Sequence, residues 1–210
     1  MAPRSPNSLA ETADGRRQRA QITRRNIVAA CIALQNEGLV RPSIQQVAER
    51  AGVSMRTFFL HFPEKEQLTQ AVLDKLTPDE IEPRPPAPGP DAGVDVRIAK
   101  FIEMRAQTLE TMTPHRRASN AMIETSTLLQ KHRLRVRKVF RETVALWFAA
   151  ELDQVSAEAR QKWLVALATL LDWEMWQSLS TYPSRSIPEA KDCLTLLLQA
   201  ALRQMAAERS

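Results

Sequence analysis

"PSIQQVAERAGVSMRTFFLHF", residues 42–62, sets two short helical runs around a single glycine, Gly52. Ser43 followed three residues later by Gln46 has the form of a capping box, so a helix is expected from about Ile44 to Ala51. Gly52 breaks it, and Ser54 is placed to cap a further helix that runs to about His61. Pro63 interrupts again before a helix over Glu64 to Leu76 that carries Leu68, Val72, Leu73 and Leu76. Two helices of about eight and seven residues joined through Gly52 and Val53 make a tight helix-turn-helix.

A hairpin that only packed would need Val47, Ala48, Ala51, Val53, Phe58 and Phe62 on its inner faces. Ser54, Met55, Arg56 and Thr57, followed by Phe59, Leu60 and His61, are left over. Side chains on the first turns of such a helix suit the major groove of double-stranded DNA, where they meet base edges while neighbouring hydroxyls and amides meet phosphate. Arg56 can donate a fork of two hydrogen bonds to guanine, Thr57 offers a hydroxyl or a methyl, and Met55 or Leu60 can cover a thymine methyl. Lys65 is expected to face a phosphate.

Apolar residues recur at helical spacing almost throughout, only five glycines occur, and no strand-like alternation of convincing length is present. The expected fold class is all-α. A first helix is expected from about Arg17 to Glu37, with Ile27, Val28, Cys31 and Leu34 on one face and Gly38 beyond its end. Residues 1–14 read as a polar, disordered tail, and residues 15–76 as a helix-turn-helix domain that includes the linking fourth helix. Residues 77–93, "TPDEIEPRPPAPGPDAG", hold six prolines and two glycines and read as a linker or loop. Further helices are expected at about 94–112, 114–131, 133–153, 156–180 and 188–207, with caps at Thr113 before Pro114, at Ser156, and at Ser186 with Glu189. Residues 94–210 form the second expected domain.

The net charge of +5 leans toward polyanionic partners, with residues 1–76 at +4 from eleven basic and seven acidic side chains. Cys31 and Cys193 lie far apart in apolar helical patterns, which suggests buried small hydrophobes and neither a disulfide framework nor a metal site. The longest apolar run, Trp163 to Leu171, is far short of the ~20 residues a membrane span needs, and the first residues carry no apolar segment of the secretory kind, so a cytoplasmic protein is expected. Three histidines, no glycine-rich phosphate loop and no recognisable nucleophile arrangement argue against an enzyme, and no cofactor is called for.

Ser43 to Leu68, "SIQQVAERAGVSMRTFFLHFPEKEQL", resembles the DNA-binding core of the tetracycline-repressor (TetR) family of transcriptional regulators, through its "VAERAGVS" turn, "TFFLHF" helix and "PEKEQL" continuation. The resemblance implies phosphate or base contacts for Ser43, Ser54 and Thr57, phosphate contacts for His61 and Lys65, and base contact for Gln45. His61 could instead pack. Phe59 stands where the family often has tyrosine, so it is expected against the sugar-phosphate surface or the domain core. Arg16, Arg17, Arg19, Arg24 and Arg25 on the first helix are either a solvated face or phosphate contacts. The family further implies a ligand-responsive regulator, in all expectation a repressor, which binds an inverted-repeat operator as a homodimer and is released by a small-molecule effector; a constitutive or architectural DNA-binding protein is the alternative.

In the second domain, Phe101, Met104, Met112, Met122, Phe140, Trp147 and Trp173 are candidates for an effector cavity, although residues of this kind are more often core. The stretch Trp163 to Trp173 has nine apolar residues of eleven, and "CLTLLLQAALRQM" is apolar almost all round, which suggests a four-helix interface between two copies. Leu167, Leu171, Leu194, Leu198, Ala201 and Met205 are its expected contacts. The run Lys131 to Arg141, six basic residues and no acid, reads mainly as a solvated helix start.

Overall fold

The computed structural model describes residues 6–77, 82–87, 89, 92–181 and 186–208, with side chains from Gly15 onward. The helices are α1 (Pro6–Asn36), α2 (Ile44–Arg50), α3 (Met55–His61), α4 (Lys65–Leu76), α5 (Val94–Asn120), α6 (Thr127–Trp147), α7 (Ala149–Leu152), α8 (Ala157–Leu170), α9 (Trp173–Ser180) and α10 (Ile187–Ala207). No strand occurs among the described residues, so the fold is all-α. The chain divides into two compact units, Met1–Thr77 with Pro114–Leu129, and Pro78–Thr113 with Gln130–Ser210. Residues 1–5 of the expected tail and residues 78–81, 88, 90 and 91 of the expected linker lie outside the described residues.

The first unit is built on the α1 stripe Ile27, Val28, Cys31 and Leu34, which meets Val47 and Ala48 of α2, Phe58 of α3, Phe62, and Leu68 and Val72 of α4. Burial raises the Cys31 thiol to about 11, so it packs as a neutral group. α1 begins at Pro6, well ahead of the expected start near Arg17, and takes residues 6–14 of the expected disordered tail into the helix. Proline at the first helical position has its φ already set, and a helix once nucleated needs no apolar stripe to continue through Leu9, Ala10, Glu11 and Ala13.

Residues 114–129, expected within the second domain, group instead with this unit. Polar ties join them to the rest of the unit: Arg41 donates to the Ala121 carbonyl, and the ring Nδ1 of buried His115 donates to Gln35 Oε1 at 2.7 Å. Burial holds His115 below its ordinary range, which keeps the ring neutral. Pro114 does not start a helix here; α5 runs through it to Asn120, giving up the hydrogen bond that the missing N–H would make.

The second unit is centred on Phe101 of α5, whose ring lies edge-on to Trp147 at 5.1 Å and to Phe148 at 5.4 Å. Arg97, 4% exposed, donates to the Trp147 carbonyl at 2.6 Å and pairs with Glu151 of α7. The helix expected over 156–180 is two. α8 ends at Leu170, and Asp172 caps α9 by accepting the Trp173 N–H at 2.7 Å. Ser156 and the Ser186–Glu189 capping box begin α8 and α10 as the sequence suggested.

Leu167, Leu171, Leu194, Leu198 and Met205, expected between two copies, are at most 1% exposed within their own chain, and Ala201 packs against the same core. A side chain enclosed in this way offers no surface to a second copy. The large apolar side chains that α8 and α10 leave exposed are Val165, Leu196 and Leu197.

Gly52 holds φ +66°, and a Cβ placed there would meet nothing within 4 Å. The cost of a side chain is therefore backbone strain alone. Gly52→Ala should lower unfolding free energy by about 1–2 kcal/mol in urea titration, and Gly52→Asn by visibly less, because asparagine tolerates the left-handed region.

Candidate nucleic-acid interface

α2 and α3 owe their positions to local chemistry. Ser43 Oγ accepts the Gln46 N–H at 3.1 Å while Gln46 Oε1 accepts the Ser43 N–H at 2.8 Å, which completes the capping box. Ser54 Oγ accepts the Thr57 N–H at 3.1 Å and shares a 2.9 Å hydrogen bond with Thr57 Oγ1. Between the caps, the Val53 N–H donates back to Ala48 O across the turn.

Only Phe58 of α3 is buried, and Phe62 just beyond it is fully enclosed. The opposite face carries Met55, Arg56, Phe59 and Leu60, all exposed, with Leu60 at 80%. Thr57 and His61 are half-buried. Three exposed apolar side chains beside an arginine on a seven-residue helix form a surface that its own core leaves unused. Phe59 leans its edge on Phe58 at 5.6 Å yet remains 45% exposed, so it is not a core residue. On α2, Gln45 is exposed and donates to Glu49 Oε1 at 2.8 Å; Lys65 opens α4, also exposed.

Of the α1 arginines, Arg24 has a structural task that its spacing did not reveal. It donates to the His61 carbonyl at 2.6 Å, and its guanidinium sits 4.0 Å over the Phe62 ring, clamping the carboxyl end of α3. Arg19 Nε donates to Gly15 O within its own helix. Arg50 forms a bidentate pair with Glu37, and this hydrogen bonding draws the Glu37 carboxyl below its ordinary range.

The effector candidates divide between the units. Phe101, Trp147 and Trp173 are buried core residues, and Met104 and Phe140 line a small cleft between α5 and α6. Half-buried Met112 lies on α5, and Met122 belongs to the segment grouped with the first unit.

A capped helix-turn-helix whose second helix turns an arginine and apolar side chains outward, on a chain with a separate larger helical unit, defines a DNA-binding regulator. Residues 27–72 match the family described as "Bacterial regulatory proteins, tetR family", and this match supports assigning the helix-turn-helix part of the chain to that family. A solved structure, the "crystal structure of tetR-family transcriptional regulator from Streptomyces coelicolor", is similar in fold over 90% of each chain, with a TM-score of 0.53 and 16% identity. No curated protein sequence matches. Among the described residues no helix is long and apolar enough to cross a membrane.

Substitutions at Ser54 separate its two tasks. Ser54→Ala should lower unfolding free energy by about 1 kcal/mol, since the cap is lost. Ser54→Asp should keep the cap and most of the stability, while its charge weakens binding to any DNA duplex, as read by urea unfolding beside fluorescence anisotropy.

Proposed function

We propose that this protein is a cytoplasmic, ligand-responsive transcriptional repressor that binds an inverted-repeat operator as a homodimer and is released by a small-molecule effector. The observation that carries the reading is the α3 face: with Phe58 and Phe62 inside, Arg56, Met55 and Leu60 stand where a helix laid in the major groove needs them. Ser43, Gln45, Ser54, Thr57, His61 and Lys65 border that face, and Phe59 lies against the sugar-phosphate surface. Residues 15–76 act as the reading head, residues 77–93 as the connection, and residues 94–210 as the effector-binding and dimerisation part.

Val165 at 51% exposure, Leu196 at 64% and Leu197 at 38% lie on α8 and α10, the two helices expected to pair, and form the proposed dimer face. The cleft in the second unit has little free volume, and this keeps a constitutive DNA-binding protein as the alternative. A thermal-shift screen separates the two readings, because a ligand bound only by the native state raises the melting temperature.

Arg56→Ala should weaken operator binding by about 1–3 kcal/mol and relax preference at one base pair per half-site. Lys65→Ala should weaken all sequences alike and reduce the salt slope by about one. Unchanged sequence preference in Arg56→Ala would remove α3 as the reading helix.

In light scattering the wild type should be a dimer without DNA. Val165→Glu combined with Leu196→Glu should give a folded monomer, whereas Leu198→Glu, which places a charge in the core, should unfold the chain. A folded wild-type monomer would refute the dimer.

A further inference from the structure

The seven-residue helix α3 is held differently at its two ends. At its start the tie is local: Ser54 Oγ accepts the Thr57 N–H at 3.1 Å. At its end the chain turns out of the helix at Phe62, with φ −138° and ψ 75°, so the last carbonyls have no further turn to bond to. His61 O, one of these, accepts instead from Arg24 Nη1 at 2.6 Å, 37 residues back in the sequence. The same guanidinium lies 4.0 Å over the Phe62 ring. One side chain of α1 thus grips both the last carbonyl of α3 and the aromatic ring that follows it.

The backbone behind that grip is anchored. Ile27 and Val28, one turn further along α1, are 0% and 7% exposed in the core that also holds Phe58 and Phe62. The Arg24 side chain itself stays exposed, so it gives α3 direction more than buried area. Direction is what base reading needs. At ~1.5 Å rise per residue α3 is about 10 Å long, and pivoting it by ~10° about Ser54 carries its far end by about 2 Å. A fork of hydrogen bonds to a base edge has no such tolerance, since donor and acceptor must meet within ~2.7–3.2 Å.

We propose that Arg24 is a positioning residue for sequence discrimination: without touching a base, it clamps the carboxyl end of α3 and so holds Arg56 and Leu60 in register with the groove. The inference rests on the reading of α3 as the helix that enters the major groove. Removing Arg24 then separates two quantities that removing a phosphate contact lowers together. Discrimination between sequences falls, and the attraction to any duplex stays.

The test uses the full chain. Duplexes bound by the wild type are selected from a randomised library, and the best of them and a scrambled duplex of the same composition become the probes for fluorescence anisotropy. Arg24→Ala should lower the ratio of the two affinities about tenfold and relax preference at more than one base pair of each half-site, where Arg56→Ala relaxes one. Affinity for the scrambled duplex and the salt slope should stay as in the wild type. In the protein without DNA, exchange of the Phe62 N–H, which donates to Phe58 O, should quicken relative to that of the Val47 N–H, which donates to Ser43 O in α2. Arg24→Lys keeps the charge and loses the planar stacked face, so its affinity ratio should lie nearer to Arg24→Ala than to the wild type. Where Arg24→Ala does not fold, the ratio and the exchange rates of Arg24→Lys decide.

The proposal is overturned if Arg24→Ala weakens both duplexes alike and lowers the salt slope by about one, which is the mark of a phosphate contact. It is equally overturned if Arg24→Lys restores the full ratio, or if Phe62 and Val47 exchange faster by the same factor while the ratio holds, which is the mark of a residue that only stabilises the unit. A wild type that selects no sequence removes the reading of α3 and this inference with it. A wild type that selects one, with a preference unmoved in Arg24→Ala, removes this inference alone.

Discussion

Phe58 and Phe62 fasten a seven-residue helix to the rest of its unit, and every outward-facing group on α3 takes its direction from them. Burying a phenylalanine is worth about 1.5–3 kcal/mol, so turning α3 by one residue, which would lift both rings toward water, is prohibitive for so short an element. Arg24 tightens the same anchor from α1 by holding the His61 carbonyl and covering the Phe62 ring. The orientation of Arg56 is therefore decided by residues that never leave the core. The caps at Ser43 and Ser54 determine where the helices start, and the two aromatic rings determine how they are turned.

In the larger unit the corresponding role falls to tryptophans with a polar edge. Trp173 Nε1 donates to Thr113 Oγ1 at 3.0 Å and Trp176 Nε1 to Glu110 Oε1 at 2.5 Å, so α9 is registered on α5 by two indoles one turn apart. Trp147 does the same for the proline-rich connection through the Arg84 carbonyl. Each ring contributes a large apolar area together with one donor that must find an acceptor when buried, and a single geometry meets both demands. Arg97, bonded to Glu151 and the Trp147 carbonyl, satisfies the one guanidinium taken deepest inside.

What was legible in the sequence was local. A serine placed before an apolar helical run predicts its cap from neighbours alone, with a glutamine or glutamate three residues on for Ser43 and Ser186, and Ser43, Ser54, Ser156 and Ser186 all cap as read. The all-α class and the outward face of α3 followed from such signals and from helical spacing. Features decided by distant partners were not legible. Pro114 reads equally as a first helical residue or as an interior one, and the continuation of α5 past it accompanies the contacts of His115 with Gln35 and of Ala121 with Arg41, 80 residues away in each case. The break at Asp172 was hidden because the flanking residues are apolar on both sides. Leu194 and Leu198 looked surplus to one chain since a helix that is apolar almost all round gives no hint which side its own neighbours will cover, and those neighbours cover them fully. Arg24 sat in a run of similar arginines, and only the fold sets it apart.

The first unit is assembled from two separated stretches of chain, Met1–Thr77 and Pro114–Leu129, and this has a consequence during synthesis. The ribosome releases the helix-turn-helix together with α4 well before the segment that completes the unit. At ~5–20 residues per second, the 52 residues from Pro78 to Leu129 take a few seconds. Throughout that interval Gln35 has no His115 to accept from, and Arg41 has no Ala121 carbonyl. The nascent head must therefore fold around its Phe58 and Phe62 core alone, and it closes only when a helix begun in the other unit has been threaded to its end.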